Sequence, residues 1–313
     1  MTVGIPFWFG KQPAGGARTV VAIGVFDGVH IGHREIIATA KRRADELKLP
    51  LIALTFEPHP TAVLAPDRQP AMLTTVANRA ELLLSAGADA VVVWPFTKEF
   101  SSYSPEKFID STLCDALGAK AVFVGANFTY GHRASGEVEQ LREQGLIRDF
   151  EVFAVPLLSD GPKPVSSTSI RAAIQGGDLQ RAWHLLARTH CVEGLVVHGD
   201  ARGRQLGYPT ANLALPPHTC IPADGVYAGW LSVAGERWPA AISVGTNPTF
   251  DGIERRVEAY ALDRDDLALY DQVARVEFGW RLRETLKFDS IEELLVQMAK
   301  DCAQSRELTR LQP

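Results

Sequence analysis

Five short apolar runs, each followed by a turn and most separated by a helical pattern, set the architecture of the first half of the chain. "TVVAIGV" (19–25), "LIALTF" (51–56), "DAVVVWPF" (89–96), "AKAVFVG" (119–125) and "FEVFAVP" (150–156) read as buried strands. Between the first two lies "REIIATAKRRADEL" (34–47), with Ile36, Ile37, Ala40, Ala44 and Leu47 on one helical face. Helices are also expected at 78–87, ended by Gly87, and at 104–118, with Ser104 as N-cap, Pro105 first inside and Gly118 at the end. Strands joined by crossover helices make a parallel sheet covered on both faces. Ligands of such sheets sit beyond the carboxyl ends of the strands.

The pattern changes after "DLQRAWHLLAR" (178–188), a helix capped by Asp178. Residues 191–199, 224–233, 237–245, 256–263 and 271–278 are short strands with turn residues and no helices between them. That predicts a small antiparallel barrel. A last helix follows at 290–302, with Ser290 and Glu293 as a capping box. At roughly 150 residues per domain, 313 residues make two domains. The expected division is 1–185 and 186–313.

Composition narrows the class. Hydrophobic residues are 46% and charged residues 22%, ordinary for a globular protein. A net charge of −5 and the lack of any basic block argue against a nucleic-acid partner. Cys114, Cys191, Cys220 and Cys302 are scattered with no C-x-x-C pair, so a zinc site or disulfide framework is not expected. The first residues do not read as a secretory leader, and no run of about 18 apolar residues is present. The expectation is a cytoplasmic protein that binds no membrane; the sequence sets no oligomeric state.

"GVFDGVHIGH" (24–33) is a strand end, a glycine turn and a helix start. Gly24, Phe26, Asp27, Gly28, His30, Gly32 and His33 form its candidate phosphate site. Gly28 and Gly32 let the backbone approach a polyphosphate. The new helix offers unpaired N–H groups to anions. His30 and His33 can donate to phosphate oxygens and steady charge on an attacked phosphorus. Neither G-x-x-x-x-G-K-[ST] nor G-x-G-x-x-G occurs at this strand, so it is not a P-loop or a dinucleotide fingerprint. "VSSTSIRAAI" (165–174) starts another helix, with Ser167 and Thr168 as caps and Arg171 one turn in. Taken alone, it reads equally as a phosphate contact or as a capped helix with a surface arginine.

The letters His-Ile-Gly-His also occur in one class of aminoacyl-tRNA synthetases, but no K-M-S-K-S partner and no anticodon-binding region are present. "GVFDGVHIGH", "TFEPHP", "GANFTYG" and "VSSTSIR" together resemble the adenylyltransferase module of bacterial bifunctional riboflavin kinase/FAD synthetases. The resemblance implies a Rossmann-like nucleotidylyltransferase domain that transfers AMP from ATP to FMN. It also implies that His30 and His33 bind the ATP phosphates and that Ser167, Thr168 and Arg171 close over them. Asn127 and Phe128 would hold flavin or nucleotide, and Phe56, Pro58 and His59 would line the flavin side. Without the resemblance, "FEPHP" reads as a rigid proline turn.

"HGDARGRQLGYPTANL" (198–213) is a second glycine-rich stretch, with Gly199 and Gly203 placed to lie along a phosphate tail. Thr210 and Asn212 share a face if the segment is a strand, and their oxygens suit Mg²⁺. Alone, P-T-A-N also reads as an ordinary hairpin. With "DGVYAGW", "SVGTNPTF" and "VEAYALD" it resembles the riboflavin kinase module of the same enzymes. The resemblance implies that Thr210 and Asn212 bind Mg-ATP and that Glu258 is the general base toward riboflavin. By strand period Glu258 shares the face of Tyr260, opposite Val257, Ala259 and Ala261. One departure is "DLALYDQ" (266–272), where Asp271 replaces a turn glycine. The competing readings are an adenylyltransferase for another phosphorylated precursor and a sensor with degenerate sites. Substrates expected from the resemblance are riboflavin, FMN and ATP.

Overall fold

The computed structural model describes residues 6–161, 163–198, 206–249, 252–264 and 266–311. The chain forms two compact units: Met1–Pro70 with Thr75–Ser166, and Ala71–Thr74 with Ser167–Pro313.

The first unit is a six-stranded sheet of β1 (Phe7–Gly10), β2 (Thr19–Ile23), β3 (Leu51–Glu57), β4 (Ala90–Pro95), β5 (Ala119–Gly125) and, after a two-stranded ribbon of β6 (Thr129–Tyr130) and β7 (Gly136–Glu137), β8 (Glu151–Val155). The strand order is β1-β4-β3-β2-β5-β8, all parallel except β1. Helices α1 (Ile31–Leu47), α2 (Pro60–Leu64), α3 (Val76–Ser85), α4 (Pro105–Phe108) and α5 (Val138–Arg148) connect them.

Alternate strand residues face opposite ways, so each strand feeds two cores. Val20, Ala22, Leu51, Ala53, Val91 and Phe123 pack with Ile37 and Ala40 of α1 and Leu83 of α3. Val21, Ile23, Ile52, Leu54, Val92 and Val122 pack on the other face with Phe108, Leu113 and Leu141. Each valine, leucine, isoleucine or phenylalanine fully buried here contributes about 1.5–3 kcal/mol, and each alanine less. From β2 the chain steps through β3 to β4 on one side, then returns to place β5 and β8 on the other. The crevice between the carboxyl ends of β2 and β5 is therefore the topological switch point, the place where sheets of this kind take their ligands.

Three local features differ from expectation. β1 lies in the stretch that carried no signal, and it is an antiparallel edge strand on β4. The segment expected as one helix at 104–118 is α4 followed by a π-type stretch, Ile109–Ala116; Ser104 caps α4 by accepting from the Lys107 amide. α3 starts two residues early because the Thr75 side chain accepts from the Asn78 amide.

A second two-stranded ribbon, β9 (Ser159–Asp160) and β10 (Lys163–Pro164), ends the first unit, and α6 (Ser167–Gln175) and α7 (Leu179–Leu186) belong to the second. The strands β11 (His190–Val197), β12 (Ala211–Ala214), β13 (Gly225–Val233), β14 (Glu236–Thr249), β15 (Gly252–Ala261) and β16 (Val273–Arg283) follow. They close into a barrel in the order β11-β12-β15-β14-β13-β16. Closure removes the unpaired edges that an open sheet exposes. Val196, Leu213, Ile242, Val257, Ala259, Val276 and Phe278 fill the interior. α8 (Ile291–Arg310) packs on β13, β14 and β16, held by a two-pronged Arg283–Asp301 pair at 2.7–3.1 Å. Asp271 has φ +62, the left-handed backbone that suits the glycine it replaces.

Candidate active sites

In the first unit the segment after β2 turns sharply. Phe26, Gly28 and Val29 have φ of +53, +83 and +39, a run that only a heavily bonded turn sustains. Gly24 donates to the Leu54 carbonyl at 3.1 Å, and the Val25 carbonyl accepts from Thr55 Oγ1 (2.8 Å) and Arg79 Nη1 (2.9 Å). Asp27 and His30 are buried in this turn.

His30 is the N-cap of α1. Its Nδ1 accepts from the His33 amide at 3.3 Å, which leaves its own proton on Nε2. The two imidazoles stack at 3.6 Å with 17° between planes, and Phe26 meets His33 edge-on at 5.2 Å. A Cβ on Gly32 would sit 3.2 Å from the His30 ring, so glycine makes room for the stack. Burial, then the neighbouring His30 and then Arg79 hold His33 well below its usual value of 6.5. His33 is thus neutral near pH 7 and acts as an N–H donor, not as a cation.

The other predicted residues fall at neighbouring strand ends. Phe56 is buried, edge-on to Phe96 at 5.9 Å, in an aromatic cluster with Phe100. Pro58 is exposed beyond β3, and His59 caps α2 by accepting from the Thr61 amide at 3.1 Å. Asn127 and Phe128 follow β5. Asn127 is exposed, while Phe128 stacks on Tyr130 at 5.8 Å. His30, His33, Asn127 and Phe128 therefore flank the switch-point crevice. Ser167, Thr168 and Arg171 belong to the second unit. α6 begins at Ser167, so the cap position is Ser166, one residue earlier than expected, and Ser167 and Thr168 lie in the first turn. Arg171 Nε donates to the Ala71 carbonyl at 2.6 Å.

The barrel carries the second site on its outer surface. Register pairs Val197 with Asn212, Asn212 with Glu258, and Glu258 with Ser243, a single row across β11, β12, β15 and β14. Ala211, Leu213, Val257 and Ala259 are buried in the barrel, so Asn212 and Glu258 must point outward. Thr210 Oγ1 donates to Glu258 Oε2 at 3.3 Å, and Asn212 Nδ2 reaches the Thr210 carbonyl at 3.5 Å. A cleft of about 550 Å³ opens beside the glutamate, lined among others by Ser243, Arg256, Arg281 and Asp224. Gly199 and Gly203 lie outside the described residues. The donor set of this row is hydroxyl, amide and carboxylate oxygen, the chemistry a hard cation takes. Among the described residues no group of three or more His, Cys, Asp or Glu side chains is arranged for a metal, and the four cysteines are free.

Sequence reasoning missed two residues. Arg79 is fully buried in α3, four residues before the core residue Leu83, and that helical phase was the available signal. Ser243 joins the Glu258 row only through strand register.

A parallel α/β domain with a phosphate-type turn at its switch point, followed by a closed barrel bearing a carboxylate over oxygen donors, defines a two-domain nucleotide-dependent transferase. Residues 11–169 match the family model described as FAD synthetase, and residues 186–309 match that of riboflavin kinase. The bifunctional riboflavin kinase/FMN adenylyltransferase of Bacillus subtilis is 35% identical over 91% of this chain and 90% of its own length. That of Listeria monocytogenes is 38% identical over 90% of each chain, and that of Escherichia coli K12 33% over 92% of each. A crystal structure described as a macrolide-efflux protein of Streptococcus pneumoniae superimposes with a TM-score of 0.83 at 35% identity, covering 93% of this chain and 94% of that one. The chain belongs to the bifunctional riboflavin kinase/FMN adenylyltransferase family. It phosphorylates riboflavin to FMN and joins AMP from ATP to FMN, giving FAD. Among the described residues no helix is long and apolar enough to cross a membrane.

Proposed function

We propose that the two reactions run at separate sites, adenylyl transfer within residues 1–185 and phosphorylation within 186–313. The observation that carries this reading is the outward row Asn212–Glu258 with the Thr210 hydroxyl on the glutamate, remote in sequence from the stacked His30 and His33.

In the barrel, Glu258 takes the proton of the riboflavin 5′-hydroxyl as its oxygen bonds to the γ-phosphorus of ATP. The bond to the bridging oxygen breaks and ADP leaves. Thr210 and Asn212 would hold Mg²⁺, which when bound supplies positive charge to the phosphate oxygens. Thr210 also orients the carboxylate, and the cleft lined by Ser243 and Arg256 admits the acceptor. Gly199 and Gly203 follow the ATP tail.

In the first domain a phosphate oxygen of FMN attacks the α-phosphorus of ATP, and pyrophosphate departs. The N–H donors of His30 and His33 stabilise the charge that builds on the phosphoryl oxygens. Gly24, Phe26, Asp27, Gly28 and Gly32 shape the turn that aims them. Ser167, Thr168 and Arg171 serve this reaction from the first turns of α6. Asn127 and Phe128, with Phe56, Pro58 and His59, take the flavin side. Cytoplasmic placement suits a chain with four free cysteines.

Asn212→Ala tests the metal assignment. It should raise the Mg²⁺ concentration needed for riboflavin phosphorylation and leave that for FMN adenylylation alone. An unchanged requirement in both reactions sinks it.

A further inference from the structure

Arg79 has no exposed surface, yet it lies in a helix whose other buried side chains include Ala80 and Leu83. Burying a guanidinium is costly unless its donors meet acceptors. Here the fork spans two strand ends: Nη1 donates to the Val25 carbonyl at 2.9 Å, and Nη2 to Glu57 Oε2 at 2.9 Å. Val25 leads directly into the left-handed Phe26 and on to His30 and His33. Glu57 leads directly into Pro58 and His59. One rigid cation therefore ties the two turns that border the adenylylation site, and a lysine, with a single ammonium, lacks the fork to match both acceptors.

We propose that Arg79 is a positioning residue for adenylyl transfer, fixing the His30–His33 turn against the Pro58–His59 turn. It touches no reacting atom, and the inference rests on the reading of His33 given above. Its charge acts in the same sense as its geometry. The charged and titratable groups that act on His33 are His30, stacked on it, and Arg79 from α3 with Glu57 paired behind it. Of these, His30 and Arg79 both oppose protonation of His33, so the imidazole stays a neutral donor.

The test uses the full chain, because riboflavin phosphorylation in the same sample reports whether the rest of the protein is intact. Arg79→Met should lower kcat for FMN adenylylation by about 10²-fold, the cost of a small misplacement of catalytic groups, with KM for ATP moved less. The acid limb of its pH–rate profile should move to higher pH, as His33 becomes easier to protonate. Arg79→Lys should return the acid limb toward its original place but restore only part of kcat. Should Arg79→Met not fold, the lysine variant carries the test through its lowered kcat beside intact kinase activity. Wild-type adenylylation in Arg79→Met, or in Arg79→Lys if the former does not fold, overturns the proposal. So does a loss of rate with an unmoved acid limb and no recovery in the lysine variant, which would mark a structural role only. His33→Ala separates the two layers. If it keeps full adenylylation, the histidine reading fails; if it loses activity while Arg79→Met does not, only the Arg79 inference fails.

Discussion

Replacing Glu258 by glutamine separates chemistry from stability at the barrel site. The side chains are the same size, so no cavity opens and Val257 and Ala259 stay buried in the interior. The Thr210 hydroxyl, 3.3 Å from Oε2, can still donate to the amide oxygen. A long hydrogen bond on an outward-facing side chain puts the folding cost within about 1 kcal/mol. The chemical cost is larger. Loss of a general base slows a reaction by about 10²–10⁴-fold. At about 1.4 kcal/mol per decade, that is about 3–5 kcal/mol on the barrier. The rate effect therefore dominates. Riboflavin phosphorylation is followed by chromatographic separation of the flavins, and FMN adenylylation is measured on the same preparation. The expected result is a fall in kcat of at least about a hundredfold with KM for riboflavin little changed, and adenylylation intact. A kcat within about tenfold of the unmodified enzyme would refute the assignment, because base catalysis does not act so weakly.

Two further outcomes follow from the packing and the buried imidazole. A methyl group on Gly229 would sit 1.9 Å from the Glu277 carbonyl oxygen, so Gly229→Ala must part β13 from β16. It should destabilise the barrel by about 1–3 kcal/mol, seen as lower thermal resistance of riboflavin phosphorylation than of adenylylation. His33 is held below 6.5 in the folded chain, so its stabilising effect is fully present above that unfolded value and is lost as pH falls through the folded one. Denaturant midpoints should therefore drop from neutral pH toward about pH 5, and His33→Asn should flatten that slope.

The parallel sheet is legible in the sequence because its central strands, β2 to β5, are buried on both faces and read as continuous apolar runs. β1 is not, because Phe7–Gly10 is a four-residue edge strand whose partner, β4, lies eighty residues away. Five of the six barrel strands are visible by alternation; β12 is hidden in the glycine-rich stretch before it, and β14 and β15 pair over longer stretches than their turn residues suggest. At the sites, side chains that act through local spacing are readable: His30 caps its own helix, and Glu258 lies opposite Val257 and Ala259 on its strand. Residues that act across the fold are not. Ser243 reaches Glu258 by register alone, and Arg79 meets Val25 and Glu57 only once α3 has packed on the sheet. A charged side chain on a helix normally faces solvent, so the helical phase that Arg79 shares with the buried Leu83 is a weak local sign of its burial.

In the proposed two-site enzyme, each site is complete without the other's catalytic side chain, and the two reactions run in sequence. A mixture of two variants, each lacking one catalytic side chain, distinguishes two sites from one. Glu258→Gln alone should leave riboflavin unchanged but convert supplied FMN to FAD, and His33→Ala alone should stop at FMN. Given riboflavin, ATP and Mg²⁺, the mixture should produce FAD. If either folded variant loses both activities, or the mixture accumulates FMN without FAD, the two-site account is contradicted.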